Sequence, residues 1–193
     1  MRLWPVLLGA AAAVAMAGPA VAGDFSAAVT RLAETEVKLW INHPTIIDAV
    51  RAQNIQHARL STEDILRLDE RWRAETISPS KPMIQALMAN ALSSFLMQKK
   101  QASKGLYTEI FVMDNKGLNV GQSDITSDYW QGDEAKWQKT FQVGPNAMLI
   151  ETMKRDRSTH VLQCQLSLPV ADPVTGEVIG AITVGIDVSK LPR

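Results

Sequence analysis

The stretch Phe111-Val112-Met113-Asp114-Asn115-Lys116-Gly117-Leu118-Asn119-Val120-Gly121-Gln122-Ser123 decides the fold. Tyr107 to Met113 is rich in β-branched and aromatic residues, so it reads as a strand. Asp114-Asn115-Lys116-Gly117 is a turn, with glycine where a positive φ is often needed. Leu118 to Gln122 returns as the partner strand. The chain continues as Thr126-Ser127-Asp128-Tyr129-Trp130-Gln131-Gly132-Asp133-Glu134-Ala135-Lys136-Trp137, and a helix is predicted over Asp128 to Lys139, mixing aromatic and acidic residues.

Downstream, Leu149 to Met153 reads as a short strand. Thr159 to Val170 and Val178 to Val188 form a longer pair joined by Asp172-Pro173-Val174-Thr175-Gly176-Glu177, a second hairpin signal. Upstream the periodicity is helical. Phe25, Val29, Leu32, Val37 and Trp40 mark a first helix, broken at Asn42-His43-Pro44, and Thr45 is the expected N-cap of a second carrying Ile46, Ile47, Val50 and Ile55. Ser61 and Asp64 form a capping-box-like start to a third, with Ile65, Leu66, Leu68 and Trp72. Ile77 to Pro82 is a loop by composition. Met83 to Gln98 is predicted as one amphipathic helix, with Lys99 and Lys100 at its C-terminal end. Helices first and an antiparallel meander after them define an α+β fold.

Residues 1–22 read as a secretory leader: Arg2, the uncharged apolar run Leu3 to Met16, the break Gly18-Pro19, and a small-x-small site at Ala20-Val21-Ala22. Cleavage after Ala22 leaves residues 23–193 as a single domain, long enough to bury a core. The expectation is a stand-alone periplasmic product without a membrane span. The whole chain carries 20 Lys and Arg against 20 Asp and Glu, so no basic excess points to nucleic acid. The lone Cys164 lies in an apolar alternation and reads as a buried core thiol.

These residues carry a family likeness. The Phe111 to Gly117 hairpin, the Asp128-Tyr129-Trp130 segment, Leu168-Pro169-Val170, the closing run Gly176 to Val188 and the upstream Asn42 to Val50 resemble Cache (PDC-type, PAS-like) extracytoplasmic sensor domains. The resemblance implies a curved antiparallel sheet of five or six strands, with a long N-terminal helix along one face and a small-molecule pocket on the other, beneath the strand-to-strand insertion. It also implies signalling through a membrane-bound chemoreceptor, sensor kinase or cyclase. Here that partner would be a separate chain, and the N-terminal helix offers a homodimer or docking surface.

Candidate ligand-binding residues fall into two groups. Alternation puts Val178, Ile182, Val184 and Ile186 on one face of the last strand, and Thr183 and Asp187 on the other. In the strand before it, Cys164, Leu166, Leu168 and Val170 oppose Gln163, Gln165 and Ser167. The apolar face should cover the helices, and the polar face meets water or floors a wet pocket. The second group is Asp128, Tyr129, Trp130 and Trp137. Aromatic walls beside carboxylates suit an amine or other cation. The same aromatics fit a core, and Asp128 fits an N-cap. For Asp187 the resemblance implies a carboxylate that meets a ligand amine. Lys154, Arg155 and Arg157 could meet a carboxylate, or form a solvated loop.

His43, His57 and His160 show no metal-ligand spacing, so no metal or cofactor is predicted. No nucleophile elbow, phosphate loop or dinucleotide fingerprint appears, so the expectation is not an enzyme. The sequence points to a sensor of a small amine, amino acid or carboxylate. The rival is a ligand-independent adaptor whose pocket is filled by Trp130 and other side chains.

Overall fold

The computed structural model describes the backbone of residues 20–152, 154–155 and 162–192, and the side chains of residues 25–152 and 163–192. The expected leader therefore lies outside the described residues except at residues 20–22. The side chains of Lys154 and Arg155, and all of Arg157 and His160, also fall outside them.

Helix α1 (Ala20–Leu32) runs into a π-helical turn (Ala33–Val37) and then α2 (Lys38–Trp40). Val29, Ala33, Val37 and Ile41 are all buried at strict intervals of four. An α-helix has 3.6 residues per turn, so such a stripe drifts by about 40° at each step. The wider π turn absorbs the drift and keeps the stripe on the core. Helix α3 (Pro44–Gln56) is capped by His43, whose Nδ1 accepts from the Thr45 N–H at 3.3 Å. Thr45 is two places too late to cap, because Pro44, with no N–H to satisfy, occupies the first helical position. Helix α4 (Thr62–Ile77) opens with the expected Ser61–Asp64 capping box.

The single helix expected from Met83 is two: α5 (Pro82–Met88) and α6 (Ala91–Ala102). Asn90 makes the break. Its Oδ1 accepts from the Ser93 N–H at 2.7 Å while its Nδ2 donates to Val120 O at 2.8 Å, and Ser93 Oγ donates to Leu87 O at 2.7 Å. Bonds across to the sheet outweigh an unbroken apolar stripe.

The strands are β1 (Tyr107–Met113), β2 (Asn119–Gln122), β3 (Leu149–Ile150), β4 (Lys154–Arg155), β5 (Leu162–Ala171) and β6 (Val178–Asp187). They form one antiparallel sheet in the order β2-β1-β6-β5-β3, and β4 also pairs with β5. The α+β architecture, with a long N-terminal helix on one sheet face, is the one the resemblance implied. The apolar sides of β5 and β6 (Cys164, Leu166, Leu168, Val170, Ile182, Val184, Ile186) pack against α1, the π turn, α3 and α6 in the main core. Arg51 of α3 clamps the β5–β6 hairpin through Asp172, donating from Nε at 2.8 Å and Nη2 at 2.7 Å. These bonds hold the Asp172 carboxyl below its ordinary range.

The segment expected as a helix from Asp128 is mostly irregular. Leu118 bridges Trp130, Gln131 donates its N–H to Gly117 O at 2.8 Å, and only α7 (Ala135–Gln138) is helical. Gly117 has φ +82°, and a Cβ there would collide with the Gly132 backbone, so glycine is required at this crossing.

Asp114 organises this end of the molecule. It is fully buried. Its Oδ1 accepts from the N–H groups of Lys116 at 2.8 Å and Leu118 at 2.9 Å. Its Oδ2 meets Gln53 Nε2 at 3.0 Å and His57 Nδ1 at 2.9 Å, and its carbonyl accepts from Trp137 Nε1 at 3.0 Å. Asp114→Ala should lose about 3 kcal/mol or more, since several donors to one charge are stranded together. Urea denaturation would show a lower midpoint at unchanged slope, and an unchanged midpoint would refute the keystone role.

Candidate functional site

The face of the sheet away from α1 carries the polar row expected from alternation. Ser167 and Thr183 stand opposite each other, fully buried, with their hydroxyls 2.9 Å apart. Gln165 pairs with Gly185 and donates from Nε2 to Glu109 Oε1 at 2.8 Å, and Gln163 pairs with Asp187. A bulge between Tyr107 and Glu109 crowds Thr108 and Glu109 onto this row. A Cβ at position 185 would collide with Thr108 Oγ1 and Glu109 Cγ, so only glycine leaves room for the Glu109–Gln165 bond. Thr108 Oγ1 is buried and has no protein partner among the described residues.

Half of this face is covered by the insertion. Phe111, Met113 and Ala181 pack under Trp137, whose ring stacks on Phe141 with centroids 4.7 Å apart. Beside this apolar patch is a cavity of about 160 Å³. Gln163 and Gln165 line it from β5, Glu134 and Lys136 from the insertion, and Glu151 from the segment after β3. Lys136 is only 8% exposed. Its Nζ lies 2.9 Å from Glu134 Oε2 and 3.3 Å from Gln131 Oε1, and 5.4 Å from the Phe111 ring centroid. A buried ammonium needs such compensation, because leaving water costs a charged group several kcal/mol. The cavity thus offers a cation, carboxylates and two amides within one small enclosure.

The candidates read from sequence divide between two places. Gln163 and Gln165 line the cavity, and Thr183 continues their row. Trp137 sits in the adjacent apolar patch, its N–H spent on Asp114 O. Asp187 lies across from Gln163, but its Oδ1 accepts from Ser189 N at 3.0 Å and Oγ at 2.6 Å, capping a 3-10 turn. Asp128, Tyr129 and Trp130 stand elsewhere, against α4 and α5. Tyr129 stacks on Trp72 at 5.4 Å and joins a second core with Ile65, Ile84 and Leu118. Trp130 donates to Lys116 O at 2.8 Å, and Asp128 pairs with Arg73 at 3.0 Å. The backbone N–H groups of Tyr129 and Trp130 donate to the buried Asp69 at 2.9 and 3.0 Å. Sequence reading did not single out Lys136 or Glu151. The proximity of Lys136 to the inward-facing Trp137 was its one signal, and Glu151 had none.

No family model and no curated protein matches this sequence. Solved structures do resemble the fold. One is the ligand-binding domain of the Campylobacter jejuni chemoreceptor Tlp3 in complex with 4-methylisoleucine, at 13% identity and a TM-score of 0.40, covering 91% of this chain and 63% of that one. Another is the sensor domain of the V. cholerae histidine kinase DctB, at 12% identity and 0.38, covering 88% and 57%. A third is the ligand-binding domain of the Pseudomonas fluorescens chemoreceptor CtaA in complex with L-alanine, at 15% and 0.39, covering 72% and 56%. The chain spans less than two thirds of the length of each. With every TM-score below 0.5, what the site can do follows from its own residues.

Cys164 borders the cavity, but its thiol belongs to the main core and is 1% exposed. Burial pushes this thiol up to about 12. Thiolate is the reactive form, so alkylation of the native protein at pH 8 should run at least about 100-fold slower than for a free thiol. Mass spectrometry after iodoacetamide would show it, with full labelling only in denaturant. Rapid native labelling would contradict the buried placement.

Proposed function

We propose that this chain is a periplasmic sensor domain that holds a small zwitterionic metabolite, carrying an amine and a carboxylate, on the polar face of its sheet. The observation that carries the reading is the buried Lys136 facing Glu134, Glu151, Gln163 and Gln165 across one cavity. A ligand carboxylate would take Lys136 and a ligand ammonium the glutamates, each gaining charge-assisted bonds. The volume restricts the choice. About 160 Å³ is well below the roughly 300–1,000 Å³ of drug-sized pockets, so a molecule of a few heavy atoms fits and a nucleotide does not.

Occupancy would be reported through the insertion. Lys136 and Trp137 share α7, so a ligand that draws Lys136 from Glu134 changes the seat of Trp137 on Asp114. Such a ligand shifts the molecule only by its difference in affinity for the two arrangements. The reading includes leader cleavage after Ala22, a separate membrane-bound chemoreceptor, kinase or cyclase, and a homodimer or docking face on the α1–α2 run, where Leu39 is 79% exposed. No described helix is long and apolar enough to cross a membrane.

One observation favours the adaptor reading: the polar groups here already satisfy one another, Lys136 with Glu134 and Gln165 with Glu109. Its supposed filler, Trp130, stands away from the cavity. Thermal melts of the secreted protein with glycine, L-alanine, methylamine and acetate separate the two. A sensor should gain about 2.7 kcal/mol at a hundredfold excess over Kd, and Lys136→Met or Gln165→Leu should abolish the gain. No shift with any small zwitterion, amine or carboxylate would favour the adaptor. The intact mass of periplasmic protein should begin at Gly23, and retention of residues 1–22 would refute the leader.

A further inference from the structure

A larger concavity lies among α3, α4 and α5, with a volume of about 430 Å³. That volume falls inside the usual range for small-molecule sites, roughly 300–1,000 Å³. One wall is apolar: Met83, Ala86 and Leu87 lie on one side of α5. Facing them are three polar groups from different elements.

Tyr129 is 6% exposed and lines this groove, where its hydroxyl keeps contact with solvent and takes no hydrogen bond from a described residue. Its ring is fixed by stacking on Trp72. His57 is the second group. Its Nδ1 is spent on the buried Asp114 at 2.9 Å, which leaves Nε2 without a partner among the described residues. Arg71 is the third. Its Nε donates to Glu75 Oε1 at 3.1 Å, leaving both terminal nitrogens unpaired among the described residues. Glu75 is itself occupied, because its Oε2 accepts from the N–H groups of Met83 at 2.8 Å and Ile84 at 3.0 Å. The same carboxylate therefore anchors the arginine and the start of the apolar wall.

A guanidinium fork excludes cations and matches a carboxylate in geometry. We propose that this groove is a second ligand site, for a small monocarboxylate with an apolar body. The carboxylate meets the Arg71 terminal nitrogens and the Tyr129 hydroxyl, His57 Nε2 borders it, and the body lies on Met83, Ala86 and Leu87. This site shares no lining residue with the cavity on the sheet, so it stands or fails independently of the function proposed above.

The test uses the full secreted protein with ¹³C-methyl methionine, read at Met83 by NMR. Benzoate and hexanoate should shift the Met83 methyl resonance saturably, and benzylamine should not. Arg71→Met should weaken benzoate by at least about tenfold. Tyr129→Phe removes a hydroxyl with no partner among the described residues, so Tm should hold or rise while benzoate affinity falls about fivefold. Lys136→Met, in the other cavity, should still let benzoate shift the Met83 resonance saturably. The proposal is overturned by no saturable Met83 shift, by equal shifts from benzylamine, or by native affinity in Tyr129→Phe, which decides the matter even where Arg71→Met does not fold.

Discussion

One buried carboxylate, that of Asp114, sets the arrangement of everything around it. An ionised group cannot be taken out of water without replacement for its hydration. Here four donors, from the turn and the end of α3, supply it: two turn N–H groups, the Gln53 amide and the His57 ring. The requirement works both ways. The turn has the geometry that points its N–H groups inward, and the last turn of α3 must end where Gln53 and His57 reach. The backbone carbonyl of the same residue receives Trp137 and so fixes the insertion. Hairpin, helix and insertion are thus held in register by one residue.

That residue was legible in the sequence only as part of a turn. Asp114-Asn115-Lys116-Gly117 states its local role, because Asp at the first turn position bonds its own backbone and glycine supplies the positive φ. Nothing local states that His57 and Gln53 will meet it. The same division runs through the rest of the fold. The Ser61–Asp64 cap, the β5–β6 hairpin and the two faces of those strands follow from neighbours in sequence, and the structure has them. The break at Asn90 and the irregular course of residues 128–131 depend on bonds to β2, Gly117 and Asp69, which no window of sequence contains.

The site follows the same rule. Alternation put Gln163, Gln165 and Thr183 on one sheet face, because a strand commits every second side chain to one face. Lys136 and Glu151 come from segments whose positions depend on tertiary pairing, and periodicity is silent there. Arg71, His57 and Tyr129 lie on three separate elements, each unremarkable alone. Tyr129 was noticed as an aromatic beside acids, and it proved to share a groove with an arginine and a histidine.

Each of the two concavities is linked to Asp114 by a hydrogen bond. Lys136 of the first is joined to it through Trp137, and His57 of the second touches its carboxylate. Both connections are direct hydrogen bonds to one rigid turn, so no long chain of contacts is needed to relate them. If occupancy of either site moves its link, the other site meets a changed Asp114. Linkage then requires the effect to be equal in both directions. Coupling of this kind needs two arrangements of the turn that differ in affinity for a ligand. The donors on the Asp114 side chain come from separate elements, and exchange of one of them is the smallest change that would create a second arrangement.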